Sequence, residues 1–354
     1  GIGAIVLQDV EERRTPAVRY FTGHPGDAIF ILAVDGSCVL CPWDEIMAAK
    51  MAYVDKIVPY TTFERQVVRA VSGLLKQLKV PEGSRVEIPS SIPYPLFLHF
   101  VDEMVGYNVV CREEGLDDFI DGMRSIKDSY EIDCIKKAAA ITDTLIDMIE
   151  TGVREETIQT EADVALLIEK ECRKAGCEGT GFETLAAGPA RSFGIHCFPP
   201  YTAGEWPAQG LSILDFGVVY QGYTSDVTLT VAKGPLTEAQ EKQLELVEKA
   251  YDAALPSYVK GVSIKTAAAK ADEIFSKAKR TMPHSLGHGY GLEAHEFPTI
   301  RSRSDEKIVF MPGMVVTLEP GLYDPEIGGC RLENDVLITE NGNEILTHSR
   351  IIRL

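Results

Sequence analysis

The 354-residue sequence has no apolar run approaching the roughly 18 residues that a membrane span needs. Residues 1–122 also lack a glycine-rich phosphate loop and a dinucleotide fingerprint. Positive charge is in deficit: 35 Lys and Arg stand against 53 Asp and Glu, a formal net charge of -18. That sign repels phosphate backbones and anionic lipid, and so argues against nucleic acid or a membrane as partner. Cysteine is thinly spread. Eight thiols scattered along the chain imply no disulfide framework. Cys38 and Cys41 form a C-x-x-C on an expected strand, where residues three apart face opposite sides and are poorly placed to share an ion. The first residues, 1–7, lack the basic start of a signal peptide, so the cytoplasm is the expected location.

What is present suffices for two domains. The length is long for one core, and 45% of the residues are hydrophobic. Residues 1–122 read as an α/β domain. Strands are expected at 4–7, 28–34, 38–41, 86–88 and 109–111, and helices at 44–52, 63–78 and 95–104. Asp35-Gly36 marks a hairpin turn. The polar run 117–128 reads as a linker into a second domain, residues 123–354.

The second domain carries an internal repeat. Gly152, Val153, Thr157, Ala162 and Asp163 recur 109 residues later as Gly261, Val262, Thr266, Ala271 and Asp272. Each set joins two helical stretches, 131–150 with 155–175 and 238–255 with 264–279, followed by strand-like sequence. In the first half, two apolar strands flank Gln221-Gly222. A turn centred between Tyr220 and Gln221 would set Asp215 opposite Asp226. Two such charges 4 Å apart repel by about 4 kcal/mol at an effective dielectric near 20. A divalent cation reverses the sign. In the second half, Glu319 and Glu333 approach each other from neighbouring strands, 104 and 107 residues after Asp215 and Asp226. Between the pairs lies a glycine-rich segment with His284, His288 and His295, three of the seven histidines, and His196 stands before them. Four carboxylates and an imidazole form a hard donor set that suits Mn²⁺, Co²⁺, Fe²⁺ or Zn²⁺. Five ligands exceed one tetrahedral ion, so two divalent metal ions sharing carboxylates fit better.

At these residues the chain resembles the metal-dependent Xaa-Pro peptidases, prolidase and aminopeptidase P, of the pita-bread superfamily that includes creatinase and methionine aminopeptidase. The resemblance runs through Tyr20-Phe-Thr-Gly23, Arg124-Ser-Ile-Lys-Asp-Ser-Tyr-Glu131, Leu214-Asp-Phe-Gly217, Ser225-Asp-Val-Thr228, residues 287–296, Glu319-Pro-Gly-Leu-Tyr323 and Arg331-Leu-Glu333. It implies a creatinase-like α/β N-terminal domain plus an α+β C-terminal pita-bread domain with an internal pseudo-two-fold repeat. It also implies that Asp226 and Glu333 bridge the ions, that Asp215 completes one shell and that His288 with Glu319 completes the other. Manganese is the favoured ion. Tyr323 and Arg331 then orient the Asp215 side, while His196, His284 and His295 contact substrate. Glu319 becomes the general base, His295 the oxyanion partner and His196 a carrier of charge towards the leaving nitrogen. The expected substrate is a short proline-containing peptide, and the expected assembly a homodimer. Two departures stand out: Leu229, where many members have Arg, and the run Cys197-Phe-Pro-Pro-Tyr201 after His196. Hydrolysis of another small amide, or a non-catalytic binding role, are the alternatives.

Overall fold

The structure is a computed structural model that describes residues 1–354. Its chain divides into two units, Gly1–Met123 and Arg124–Leu354. No helix is long and apolar enough to cross a membrane.

The first unit is built on one sheet. Its strands are β1 (Ile2–Asp9), β2 (Ala28–Ala33), β3 (Cys38–Pro42), β4 (Arg85–Glu87) and β5 (Asn108–Val110), in the order β3-β2-β1-β4-β5. The β1–β2–β3 meander is antiparallel, and β4 and β5 run parallel to β1. Period-two alternation gives the sheet two apolar faces. Val6, Ile31, Val39 and Cys41 pack with Val71 and Leu74 of a helix at Val67–Gln77. Leu7, Phe30 and Leu40 pack on the other face, joined by Cys38. The two thiols of the C-x-x-C thus lie on opposite sides of the sheet. That helix starts later than its periodicity suggests, because Glu64 and Arg65 take positive φ and separate it from a 3₁₀ turn at Tyr60–Phe63.

The expected linker at 117–128 is mostly helix, Leu116–Arg124. Its charged face hid one buried stripe: Leu116 and Ile120, one turn apart, join the core of the first unit.

The second unit repeats a plan of two helices followed by strands. Helices Ser129–Arg154 and Glu161–Lys174 are set by capping boxes at Asp128/Glu131 and Thr160/Asp163. Helices Glu238–Ala254 and Ile264–Lys277 form the second pair. The first pair packs Ile146, Ile149 and Val164 against Leu214, Leu229 and Val231, and the second packs Leu244, Val247 and Phe275 against Val316 and Val336. Each such side chain, fully buried, contributes about 1.5–3 kcal/mol. Leu229 is therefore a core residue of the first half, with no polar task. The strands that matter to the site are β6 (Gly210–Phe216), β7 (Val218–Tyr220), β8 (Tyr223–Thr224), β9 (Val227–Lys233), β10 (Gly287–Gly289), β11 (Val315–Leu318), β12 (Gly321–Asp324), β13 (Gly328–Arg331) and β14 (Asn334–Thr339).

The register of the first hairpin differs from expectation by one turn position. Gln221 and Gly222 both have positive φ, 52° and 89°, the backbone of a two-residue hairpin turn. Tyr220 then faces Tyr223, and Asp215 faces Thr228 rather than Asp226. Asp226 becomes the diagonal neighbour of Asp215 on the same face, typically about 7–8 Å away between backbones. The hairpin also folds over at Gly217, where β6 passes into β7. A Cβ on Gly217 would overlap the Ser225 carbonyl oxygen. Gly217→Ala is therefore expected to cost at least 1–3 kcal/mol, as overpacking does, and to weaken divalent-metal binding by spreading Asp215 from Asp226. Thermal denaturation with and without Mn²⁺ checks both effects; unchanged melting in both would contradict this geometry.

Candidate metal centre

All the site residues expected from the sequence lie in the second unit. Asp215 stands near the end of β6, and Asp226 occupies the break between β8 and β9. His288 is the middle of β10; Glu319 follows β11; Glu333 sits between β13 and β14. The register Leu318↔Asn334 places Glu319 beside Glu333 as the next pair. Asp226, Glu333 and His288 are buried, and one donor atom from each lies within 4.8 Å of the others. His288 Nε2 is 3.4 Å from Glu319 Oε1 and 3.7 Å from Asp226 Oδ2.

Hydrogen bonds fix the donors. His288 Nδ1 faces the Gly289 carbonyl at 3.1 Å, so it carries the proton and leaves the Nε2 lone pair towards the carboxylates. Thr228, directly across from Asp215, donates its hydroxyl to Glu333 Oε2 at 2.6 Å and accepts from Arg331 Nε at 2.7 Å. Arg331 donates Nη2 to Asp215 Oδ2 at 2.5 Å and Nη1 to the Tyr323 hydroxyl at 2.7 Å. Tyr323 then donates to His284 Nε2 at 3.0 Å, and His284 Nδ1 donates to the Ser285 carbonyl at 2.7 Å. One chain of bonds thus links Asp215 to His284.

Burial dominates the electrostatics. It holds the Asp226 and Glu333 carboxyls well above their usual range, reinforced at Asp226 by Glu333 and Asp215 and at Glu333 by Glu319 and Asp215. Burial, with the Asp215 charge adding to it and Arg331 opposing it, pushes Glu319 up to about 8. Burial drives His288 down to about 3 and His284 to about 4, so both imidazoles are neutral. Asp215 Oδ1 is buried with no hydrogen-bond partner. An orphaned carboxylate oxygen, a free imidazole lone pair and crowded acids are the donor chemistry of a divalent cation, and the residues fit one.

The histidines expected to contact substrate lie near this set as well. The His295 ring lies 4.2 Å from that of His288. Burial and then His196 disfavour the charged form of His295, which places His196 close by. The turn bearing His295 is held by Glu296, which accepts from Lys127 Nζ at 3.1 Å and Arg124 Nη2 at 2.5 Å. Two contributors escaped the sequence reading. Thr228 lies inside the motif Ser225-Asp-Val-Thr228, and only its partners in the fold give it a role. Asp335, fully buried, accepts the Asp226 backbone N–H at 3.2 Å across 109 residues. That interval is the signal: the repeat pairs Asp226 with Asp335, and not with Glu333.

A raised carboxyl pKa means that the folded state binds more protons than the unfolded one. Its contribution to stability is full below the unfolded value and is lost as pH rises through the folded one. The buried histidines act oppositely, but above about pH 7.5, one unit past their ordinary pKa, they are neutral in both states. The metal-free protein should therefore lose melting temperature as pH rises from about 7.5 through about 8, and added Mn²⁺ should remove the loss. A metal-free melting temperature that rises across this window would contradict the assignment.

Residues 133–340 match the model of metallopeptidase family M24. The chain is 32% identical over 341 residues to a protein of Pyrococcus horikoshii named Xaa-Pro dipeptidase, covering 94% of this chain and 91% of that one. Its structure is similar to the Xaa-Pro dipeptidase from Bacillus anthracis, with TM-score 0.86, 27% identity and coverage of 100% and 96%. It is similar also to the X-Pro aminopeptidase from Thermotoga maritima, with TM-score 0.85, 27% identity and coverage of 99% and 98%. The chain belongs to metallopeptidase family M24, as a prolidase-like peptidase with the pita-bread fold.

Proposed function

We propose that this peptidase hydrolyses the bond before proline in dipeptides or short peptides, with two divalent metal ions held by Asp215, Asp226, His288, Glu319 and Glu333. The observation that carries the reading is the buried set Asp226, His288 and Glu333, flanked by Asp215 with its orphaned oxygen and by Glu319. By the family resemblance, Asp226 and Glu333 would each serve both ions, Asp215 would serve one, and His288 with Glu319 would serve the other. When bound, such ions supply Lewis acidity, which eases deprotonation of water and polarises a carbonyl.

The chain's own groups do the rest. Arg331 and Thr228 orient Asp215 and Glu333, so that their oxygens face inward without rearranging during the reaction. Glu319 receives the proton of the attacking water. His295 donates to the developing oxyanion, and His196 carries a proton towards the leaving imino nitrogen. His284, locked by Tyr323 and Ser285 as the Nδ1–H tautomer, contacts substrate from the Glu319 side, where its Nδ1 lies 3.7 Å from Glu319 Oε2. Manganese as the favoured ion and a homodimeric assembly belong to the same reading and rest on the family resemblance.

A panel of X-Pro dipeptides and X-Pro-Y peptides, given to metal-stripped protein with Mn²⁺, Co²⁺ or Zn²⁺ restored, should release product only with metal. Glu333→Ala should lose both metal retention and turnover. Full metal content and turnover in that variant would sink the proposal. Metal-dependent cleavage of other amides alone would move the assignment to a different C–N bond.

A further inference from the structure

His196 is the least secured of the site histidines. Its ring is exposed and makes no hydrogen bond, unlike those of His284 and His288. It sits on a long loop, residues 188–204, that contains neither helix nor strand. Loops of that length in compact domains are either disordered or functional. This one is anchored by two charged residues to which the reading above gives no task.

Glu161 opens the helix Glu161–Lys174 and is 2% exposed. Its Oε1 accepts the Gly188 N–H at 2.9 Å, and its Oε2 accepts the Thr202 N–H at 2.7 Å and hydroxyl at 2.5 Å. One carboxylate therefore closes both ends of the loop. Arg191 binds the same carboxylate through Nε at 3.1 Å and Nη2 at 2.9 Å, a two-pronged contact that fixes the guanidinium plane. From there Nη1 donates to the Pro199 carbonyl at 2.7 Å, and Nη2 lies 3.6 Å from Cys197 Sγ. On the other side of His196, the Ile195 carbonyl accepts from Arg331 Nη1 at 3.2 Å. His196 is thus bracketed by an anchored residue before it and an anchored residue after it. The anchors lead to Arg331, which holds Asp215, and to Glu161.

We propose that Glu161 and Arg191 are positioning residues, a buried clasp that holds the 188–204 loop so that His196 stays over the metal centre. The proposal rests on the catalytic reading of His196 given above. The clasp touches no metal ligand. Its loss should leave metal content intact while freeing the loop. The departure Cys197-Phe-Pro-Pro-Tyr201 lies within its grip: Cys197 is buried beside Leu185 and Ile213, and the Pro200 carbonyl accepts the Ala186 N–H at 2.9 Å. The clasp therefore fixes the segment in which this chain differs from many prolidases.

The test is a double-mutant cycle on the Mn²⁺-loaded full chain with Ala-Pro as substrate, joining Glu161→Gln with His196→Ala. Each single variant should lower kcat about 10- to 100-fold at unchanged metal content. The double variant should fall no more than about twofold below His196→Ala alone. Hydrogen exchange in peptides covering 188–204 should quicken in Glu161→Gln, independently of activity. Arg191→Gln, which keeps Glu161 bonded to Gly188 and Thr202, serves if Glu161→Gln does not fold, and Arg191→Lys should rescue it in part. Fully additive losses, or unchanged exchange in the loop, would overturn the clasp as a positioning device. No loss in His196→Ala would overturn the reading of His196 itself, and the positioning claim with it.

Discussion

The second unit is organised around carboxylates that are buried where carboxylates are costly. Asp215, Asp226 and Glu333 are each less than a tenth exposed, with Glu319 beside them. Bringing such charges out of water and close together is unfavourable unless cations and donors answer them. Arg331 answers Asp215, Thr228 answers Glu333, and the Asp226 backbone is tied through Asp335. These contacts orient the acids without neutralising the set. The balance is left to a divalent cation, which explains why the oxygens face one another rather than solvent.

Much of the surrounding structure follows from holding that arrangement. The helices of each half press apolar faces onto the strands, and the strands end or break at the acids. Asp226 projects from the fold in the first hairpin that Gly217 permits. The histidines divide into two groups by environment. His288 is buried and His284 partly so, and both are neutral and locked as tautomers. His295 and His196 are exposed at the edge, and their placement depends on Glu296 for one and on the Glu161–Arg191 clasp for the other.

The sequence was most legible where residue type and period agreed. The alternating strands around Asp35-Gly36 and the helices of the second unit needed only local rules. The register of the first hairpin was not legible, because it turns on whether Gln221 takes positive φ, a conformation unusual for a residue other than glycine. The helix Leu116–Arg124 was missed because two buried residues among many charges give little periodic signal. The 109-residue interval was real at the N-caps Asp128 and Thr237 and at Asp226 and Asp335. It is not kept by the second helices, whose N-caps are Thr160 and Ser263. Glu161 and Arg191 were invisible, since their partners are backbone atoms as often as side chains and lie up to 41 residues away.

The central claim is that the buried acids are completed by two divalent ions. Anomalous scattering from crystals of the Mn²⁺-loaded protein, recorded at the manganese edge, tests it most directly. Two peaks per chain are expected, enclosed by Asp215, Asp226, His288, Glu319 and Glu333. A map without manganese among these residues, or with both peaks elsewhere, would contradict the account.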